Sequence, residues 1–380
     1  MASEVSVVEC GSYDYGAVKA AVSESLSNIG GMRRFVKAGD KVLLKVNLLS
    51  ASSPEAAITT HPSIVKAVIV EVQACGGKVV IGDSPGGPFD EGSLRRAYER
   101  SGLKAVAEET GASLNYDTSS MVVSYPTGRF LKRLDVGKYL GDADVVITMP
   151  KMKTHVFMQF TGATKILFGV VPGLTKAVYH MKFKDADMFA DMLLDILGYV
   201  KPTLSIMDGV VGLEGDGPGA SGVPRQVGVI LAGSDSIALD LVAVSIISME
   251  PSDVPPLRRA VARGLSTGRL SDVKIIGAQL DQLRVDFKKP NSRSGIIAKV
   301  LSSSIVRSVF MSLLASYPEA NSGCVRCGIC MRNCPASAIT ISERAHMDLK
   351  KCIRCYCCHE LCPHKAIDLR RSILSRLLFR

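Results

Sequence analysis

The chain is short of the features that mark several common protein classes. No stretch of about 18 residues stays apolar and uncharged, which argues against a membrane-spanning helix. The N-terminus, MASEVSVVECGSYDYG, has no basic start followed by an apolar run, so no export signal is visible and a cytoplasmic location is expected. The phosphate cradle G-x-x-x-x-G-K-S/T is absent, and no G-x-G-x-x-G follows the first strand. A nucleotide held in either of those two ways is therefore not supported. Tryptophan is missing and aromatic residues make up 6% of the chain. Without interleaved aromatic and basic residues, no nucleic-acid partner is expected.

What is present describes a well-packed protein. Of 380 residues, 47% are hydrophobic and 22% charged, and mean hydropathy is +0.22, values of a globular chain long enough for two or three domains. The net charge of +10 is uneven. From Lys288 to Arg380 there are 16 Lys and Arg against 5 Asp and Glu, a surplus of +11, so the remainder carries −1. A basic surface of this kind attracts an acidic electron-carrier protein or an anionic lipid surface.

Eight of eleven cysteines fall in two copies of C-x2-C-x2-C-x3-C-P: Cys324, Cys327, Cys330 and Cys334, then Cys352, Cys355, Cys358 and Cys362. The copies are 28 residues apart, and Ala338-Ile339 recurs as Ala366-Ile367. Soft thiolates at this spacing suit two [4Fe-4S] clusters, because each cube needs four sulfur ligands. In such a repeat three cysteines of one copy share a cube with the fourth of the other. The expected sets are Cys324, Cys327, Cys330 with Cys362, and Cys352, Cys355, Cys358 with Cys334. Neither disulfides nor zinc sites use this spacing. Cys357 lies between two ligands and reads as a spare ligand, a redox-active thiol or a small buried residue. Cys10 and Cys75 read as ordinary buried or surface cysteines.

Residues 1–276 read as one α/β domain with a mainly parallel, helix-covered sheet. Expected strands are 41–46, 78–81, 144–149, 203–207 and 227–231. Helices are expected at 63–74, leading to Gly76-Gly77, and at 236–248, before Pro251. Residues 277–318 read as a connector with an amphipathic helix at 295–317. Residues 319–369 read as a small α+β module like a bacterial two-cluster ferredoxin, and 370–380 as a basic amphipathic tail. The last helix and the tail could touch a membrane surface.

Ligands in open α/β sheets bind beyond the C-terminal strand ends. Those ends carry Lys45 and Asn47; Asp83 with Ser84-Pro85-Gly86-Gly87; Lys151, Lys153 and His155; Asp208 and the glycine-rich loop with Glu214 and Asp216; and Gly233-Ser234-Asp235 with Asp240. Together they suggest a site for a small, polar, anionic substrate. Lys151, Lys153 and Lys165 would bind phosphate or carboxylate, one of them serving as proton donor. His155 and His180 are acid–base candidates. Glu214 and Asp216 would suit a divalent cation such as Mg²⁺. Lys45, Asn47, Asp83 and Lys151 complete the substrate-binding set; Lys153, His155, Lys165, His180 and Asp208 form the catalytic one.

Several runs give the chain a family resemblance: Met149-Pro150-Lys151-Met152-Lys153-Thr154-His155, Thr161-Gly162-Ala163-Thr164-Lys165, Phe168-Gly169, His180, Met207-Asp208-Gly209, Gly215-Asp216-Gly217-Pro218 and Ala238-Leu239-Asp240. It resembles the domain-of-unknown-function 362 family, whose members often join this domain to a two-cluster ferredoxin segment. The run Cys352-Ile353-Arg354-Cys355-Tyr356-Cys357-Cys358 looks like theirs, spare cysteine included. Thr164 departs from the asparagine expected before Lys165. The resemblance implies architecture rather than a reaction. The expected function is an iron–sulfur oxidoreductase relaying electrons to or from the anionic substrate. The alternatives are an electron-transfer or cofactor-assembly protein that docks a redox partner, and a non-redox enzyme with structural clusters.

Overall fold

The computed structural model describes residues 2–173, 175–291 and 316–370. The amphipathic stretch 295–317, apart from its last two residues, and the tail from 371 on lie outside them.

The strands of the main sheet are β1 (Ser3–Glu9), β2 (Lys41–Val46), β3 (Lys78–Gly82), β4 (Ser113–Leu114), and, after a separate hairpin of β5 (Ser120–Ser124) and β6 (Arg133–Gly137), β7 (Val145–Met149), β8 (Lys151–His155), β9 (Gln159–Thr161), β10 (Leu204–Gly215), β11 (Gly222–Gly233) and β12 (Val273–Gly277). Their order is β12-β1-β11-β10-β7-β2-β3-β4, with β8 and β9 branching from β10. Neighbours from β10 through β7, β2 and β3 to β4 run parallel. The fold is thus mixed α/β with a large, mostly parallel sheet.

Burial explains the strand sequences. All five residues of β7 and five of six in β2 are buried, as strands covered on both faces require. Val42, Leu44 and Val46 enter the core beneath α1 (Tyr15–Ser27) and α2 (Pro62–Ala74), while Leu43 enters the opposite core with the aromatic and aliphatic residues of a later helix, residues 186–200. The period of two divides one strand between two helical layers. Pro62 opens α2, and Gly76 at φ 83° follows its end, the ordinary start and stop chemistry.

Three expectations change. Residues 151–155 are not a loop beyond the third strand but a strand of their own, paired with β10 and β9. Lys151, Lys153 and His155 therefore share one face, and Met152 lies in the core on the other. β10 extends to Gly215, so half of the expected glycine-rich loop is strand. β11 runs antiparallel to β10, which carries Asp235 to the opposite sheet edge. There it caps the helix Ser236–Ile246 by accepting from Ile237 N at 2.9 Å and Ala238 N at 3.1 Å.

The cysteine-rich segment forms two similar halves. β13 (Tyr317–Ala320) pairs antiparallel with β16 (Ile367–Arg370), and β14 (Ile339–Ile341) with β15 (Ala345–Met347). Short helices Ile329–Arg332 and Cys357–Glu360 stand 28 residues apart. The left-handed residues repeat at the same offset: Arg326 and Arg354, Gly328 and Tyr356, Ser337 and Lys365. The halves share a backbone path as well as a cysteine pattern, and β13–β16 pairing ties the first strand to the last.

Candidate functional site

The C-terminal ends of β2 and β3 open a cavity of about 120 Å³, closed opposite by the cysteine-rich segment. Asn47, Asp83 and Ser84 come from the sheet edge, Lys165 and His180 from the chain after β9, and Asn333, Cys357 and Glu360 from the segment.

Asp83 anchors the edge. One carboxylate oxygen accepts from Leu48 N at 2.8 Å, and the other lies 2.7 Å from Lys45 Nζ, both side chains nearly inaccessible. Gly169 permits this approach: a Cβ there would stand 2.2 Å from Asp83 Oδ1 and 2.6 Å from Lys45 Nζ. Its carbonyl instead accepts from Ser84 N at 3.0 Å, pinning the β3 exit to the turn that carries Lys165.

Lys165 follows a turn held by Asp240, which accepts from Ala163 N at 2.6 Å and Thr164 N at 2.9 Å. Backbone N–H groups make these contacts, so the expected asparagine amide is not needed there. Burial pushes the Asp240 carboxyl up to about 6. Lys165 Nζ has no hydrogen bond and no carboxylate within 4 Å among the described residues. Its closest charge interactions are with Glu360 and Cys357, and burial holds its ammonium below the ordinary lysine range.

Lys176 and His180 lie one turn apart on the helix Thr175–Lys182, so both face the cavity. Lys176 Nζ donates to Ser84 Oγ at 2.6 Å, Ser84 O at 2.8 Å and Pro85 O at 3.2 Å. All three acceptors are neutral, and burial brings the ammonium down to about 7. His180 stacks on Phe189 at 4.6 Å and meets Phe168 edge-on at 5.6 Å, while its Nδ1 has no hydrogen-bond partner. Burial holds it near 3, hence neutral.

His155 Nδ1 accepts from Phe157 N at 3.0 Å and Met158 N at 3.3 Å, which leaves the ring proton on Nε2. Nε2 stands 3.3 Å from Glu360 Oε1. Burial pushes His155 far down and Glu360 up, so this is a contact of a neutral ring rather than an ion pair. His359 Nε2 reaches Asp216 O at 3.0 Å. Gly219 lets the two backbones meet, since a Cβ there would lie 2.2 Å from Glu360 O.

Not every expected residue reaches the cavity. Lys153 sits behind it, donating to Asn47 Oδ1 and Ile58 O, both at 2.8 Å. Lys151 and Asp208 form a buried pair at 2.8 Å, with Tyr13 donating to Asp208 at 2.8 Å and His61 N at 2.9 Å. Tyr13 stacks on His61 at 3.5 Å. These groups pair with one another, and Lys151 and Asp208 are buried outside the lining of the cavity. Glu214 and Asp216 are also engaged: Glu214 accepts from Lys288 N at 2.9 Å, and Asp216 takes both Asn291 N and Asn291 Nδ2 at 2.7 Å. They fasten the connector, and among the described residues no group of three or more His, Cys, Asp or Glu gathers around them.

Lys176, Glu360, Asn333 and Cys357 were not expected at the site. The Lys176–His180 spacing of four could have revealed the lysine. Nothing local could have revealed Asn333 or Glu360.

Two smaller cavities lie within the cysteine-rich segment. Cys324, Cys327, Cys330 and Cys362 wall one, and Cys334, Cys352, Cys355 and Cys358 the other. Cys357 lines the second cavity and the polar one. Among the described residues, no group of three or more His, Cys, Asp or Glu closes on a single metal ion. Cys10 and Cys75 are buried in the core of the sheet.

An α/β domain with a polar sheet-edge cavity, capped by a cysteine-rich segment, defines the class. The chain belongs to the DUF362 family, a domain of unknown function, whose sequence profile matches residues 42–245. It is similar to the thylakoid-associated protein sll1697 of Synechocystis sp., 37% identical over 273 residues, 70% of this chain and 81% of the relative. Among solved structures it is similar to the lactate racemase apoprotein from Thermoanaerobacterium thermosaccharolyticum, at 12% identity and TM-score 0.40 over 65% of this chain. A structural-genomics protein from Thermotoga maritima gives 13% and 0.37 over 60%. The match spans 57% of each of those two chains. Among the described residues, no helix is long and apolar enough to cross a membrane.

Proposed function

We propose that this chain is an iron–sulfur oxidoreductase whose cysteine-rich segment is a two-cluster ferredoxin-like module serving the polar cavity. The observation that carries the reading is Cys357, which lines both that cavity and the chamber of Cys334, Cys352, Cys355 and Cys358. Electrons leaving that chamber would meet a substrate across a single wall.

The residues fit two cubes. Each chamber gathers four thiols from both halves of the repeat, a soft donor set. Backbone N–H groups aim at the sulfurs, Ala338 at Cys334 (3.3 Å), Ala345 at Cys324 (3.4 Å) and Ala366 at Cys362 (3.3 Å), the kind of bond that stabilises cluster thiolates. The segment's own core is mostly small residues and cysteines, so bound clusters would supply much of its folding free energy. When bound, the clusters supply one-electron transfer.

The chain's other residues favour an anionic substrate. Lys45 and Asp83 cancel, which leaves Lys165 and Lys176 as cations whose partners are not carboxylates within 4 Å. Lys176, poised near neutrality, is the proton donor or acceptor that pairs with electron transfer. Neutral His180 and the Phe168–Phe189 wall exclude water from one side.

Anaerobically purified protein should contain about eight iron and eight sulfide per chain, four per cube. Dithionite-reduced protein should be reoxidised faster by its true substrate than by other metabolites, and Lys176→Met should erase that difference with iron content unchanged. Trace iron, or zinc in its place, would overturn the reading. A second reading, peripheral membrane contact, is favoured by the relative's thylakoid association. Its test is co-sedimentation with anionic vesicles.

A further inference from the structure

A second, larger depression lies outside the polar cavity. It is a groove of about 620 Å³ that begins at Gly86, Gly87 and Leu361, which also line the cavity, and runs past Arg96, Arg100 and Arg332 to Cys362. Cys362 and Ile329 belong at the same time to the chamber of Cys324, Cys327 and Cys330. The groove therefore touches the chamber that does not share Cys357 with the polar cavity.

Its charge is one-sided. Arg96 donates to Ser93 Oγ at 3.0 Å and Arg332 to Cys327 O at 3.1 Å, both neutral acceptors. Arg100 is exposed, and none of the three has a carboxylate within 4 Å among the described residues. Glu360 is the sole acidic residue along the groove, and its side chain is only 10% exposed. Beside the groove, Cys327 is exposed, flanked by Val325 at 57% and Met331 at 41% exposure. Cations around an exposed apolar pair, next to an accessible ligand position, form a surface for transient docking rather than a stable one.

The occupant follows from the sign of the charge. Residues 292–315 and 371–380 of the chain itself contain six Lys and Arg and no acidic residue, so both would be repelled. A lipid bilayer presents anions on a broad, smooth front that meets a concave groove poorly. We infer that the Arg96–Arg100–Arg332 groove docks a small acidic one-electron carrier protein. The carrier exchanges electrons with the chamber of Cys324, Cys327, Cys330 and Cys362, and the Cys357 side serves the substrate. In each encounter the carrier would lose or gain one electron, and the [4Fe-4S] cluster that Cys324, Cys327, Cys330 and Cys362 would hold would gain or lose it, with no bond made or broken. This inference rests on the two-cluster reading but not on the anionic substrate.

The test uses the anaerobic, cluster-loaded full chain and an acidic plant-type [2Fe-2S] ferredoxin as probe. Stopped-flow association and reduction by the reduced probe are measured across salt concentration for the wild type, Arg96→Glu/Arg100→Glu and Arg96→Lys/Arg100→Lys. Both arginines lie on the exposed face of the helix Glu91–Arg100 in the α/β domain. The double charge reversal should slow association at low salt by about tenfold or more, a gap that closes as salt screens it. The lysine variant should retain the rate, and dithionite reduction and iron content should match the wild type in both. Equal rates in all three proteins, or no measurable complex with the wild type, would overturn the inference. So would arginine-dependent binding to phosphatidylglycerol vesicles without carrier binding. Absent iron would refute the cluster reading instead, so the two failures are separable.

Discussion

Replacing Lys176 with Met tests the electrostatics of the cavity directly. The lysine donates to three neutral oxygens and has no carboxylate within 4 Å among the described residues; burial outweighs the more distant Asp83 charge, so its proton is held only up to about 7 rather than 10.5. The unfolded chain keeps that proton to 10.5, so between the two values the unfolded state binds more protons and stability rises with pH. Below pH 7 both states are charged and the cost is present in full; above 10.5 it is gone. The displacement corresponds to at most about 5 kcal/mol, reduced by the hydrogen bonds the ammonium retains and by its partial exposure. Lys176→Met should therefore raise the melting temperature at pH 6 and leave it near or below the wild type at pH 10. Anion affinity in the wild type should fall as pH rises above 7, by up to about tenfold per pH unit, as Lys176 loses its charge. The assay is differential melting of the anaerobic protein across pH, with phosphate titration by calorimetry. A variant less stable than the wild type at pH 6, or a difference that does not change with pH, would refute the reasoning.

Gly169→Ala should cost several kcal/mol, because its Cβ must displace the buried Lys45–Asp83 pair (about 3–5 kcal/mol when one partner is lost); a melting temperature equal to the wild type would count against this. Lys165→Ala should weaken phosphate binding at pH 6 while absorbance and iron content stay unchanged; loss of iron would mark the residue as structural. Cys330→Ser should lower iron from about eight toward four per chain, and full retention of iron would remove this thiol from the ligand set.

Some of this molecule is written locally. Lys41–Val46 could be bounded from its run of apolar residues, because a strand buried on both faces has no polar period to hide it. The cysteine repeat is equally open, since ligand spacing is a property of a few consecutive residues. The polar residues near β2, β3 and β8 could be marked as unusual for the same reason. What could not be read was which of them would neutralise one another. Lys151 and Lys153 look alike in sequence, yet one meets Asp208 and the other meets only Asn47 and a carbonyl.

The antiparallel turn of β11 shows the same limit. Its composition matches its parallel neighbours, and the chain direction is set by pairing with β10 and β1, not by its own residues. The sequence pattern therefore points Asp235 to an edge it does not occupy. Glu214 and Asp216 had the residue types of a cation site, but backbone donors more than 70 residues later took their oxygens.

By itself the sequence determined the α/β character, the repeat of 28 and the positions of eight thiols, because each depends on neighbours along the chain. Only the tertiary structure decided that Lys165, Lys176, His180 and Glu360 share one cavity, and that Cys357 stands in its wall. Those groups meet across long sequence separations, where burial and the fate of each charge depend on what the fold brings opposite.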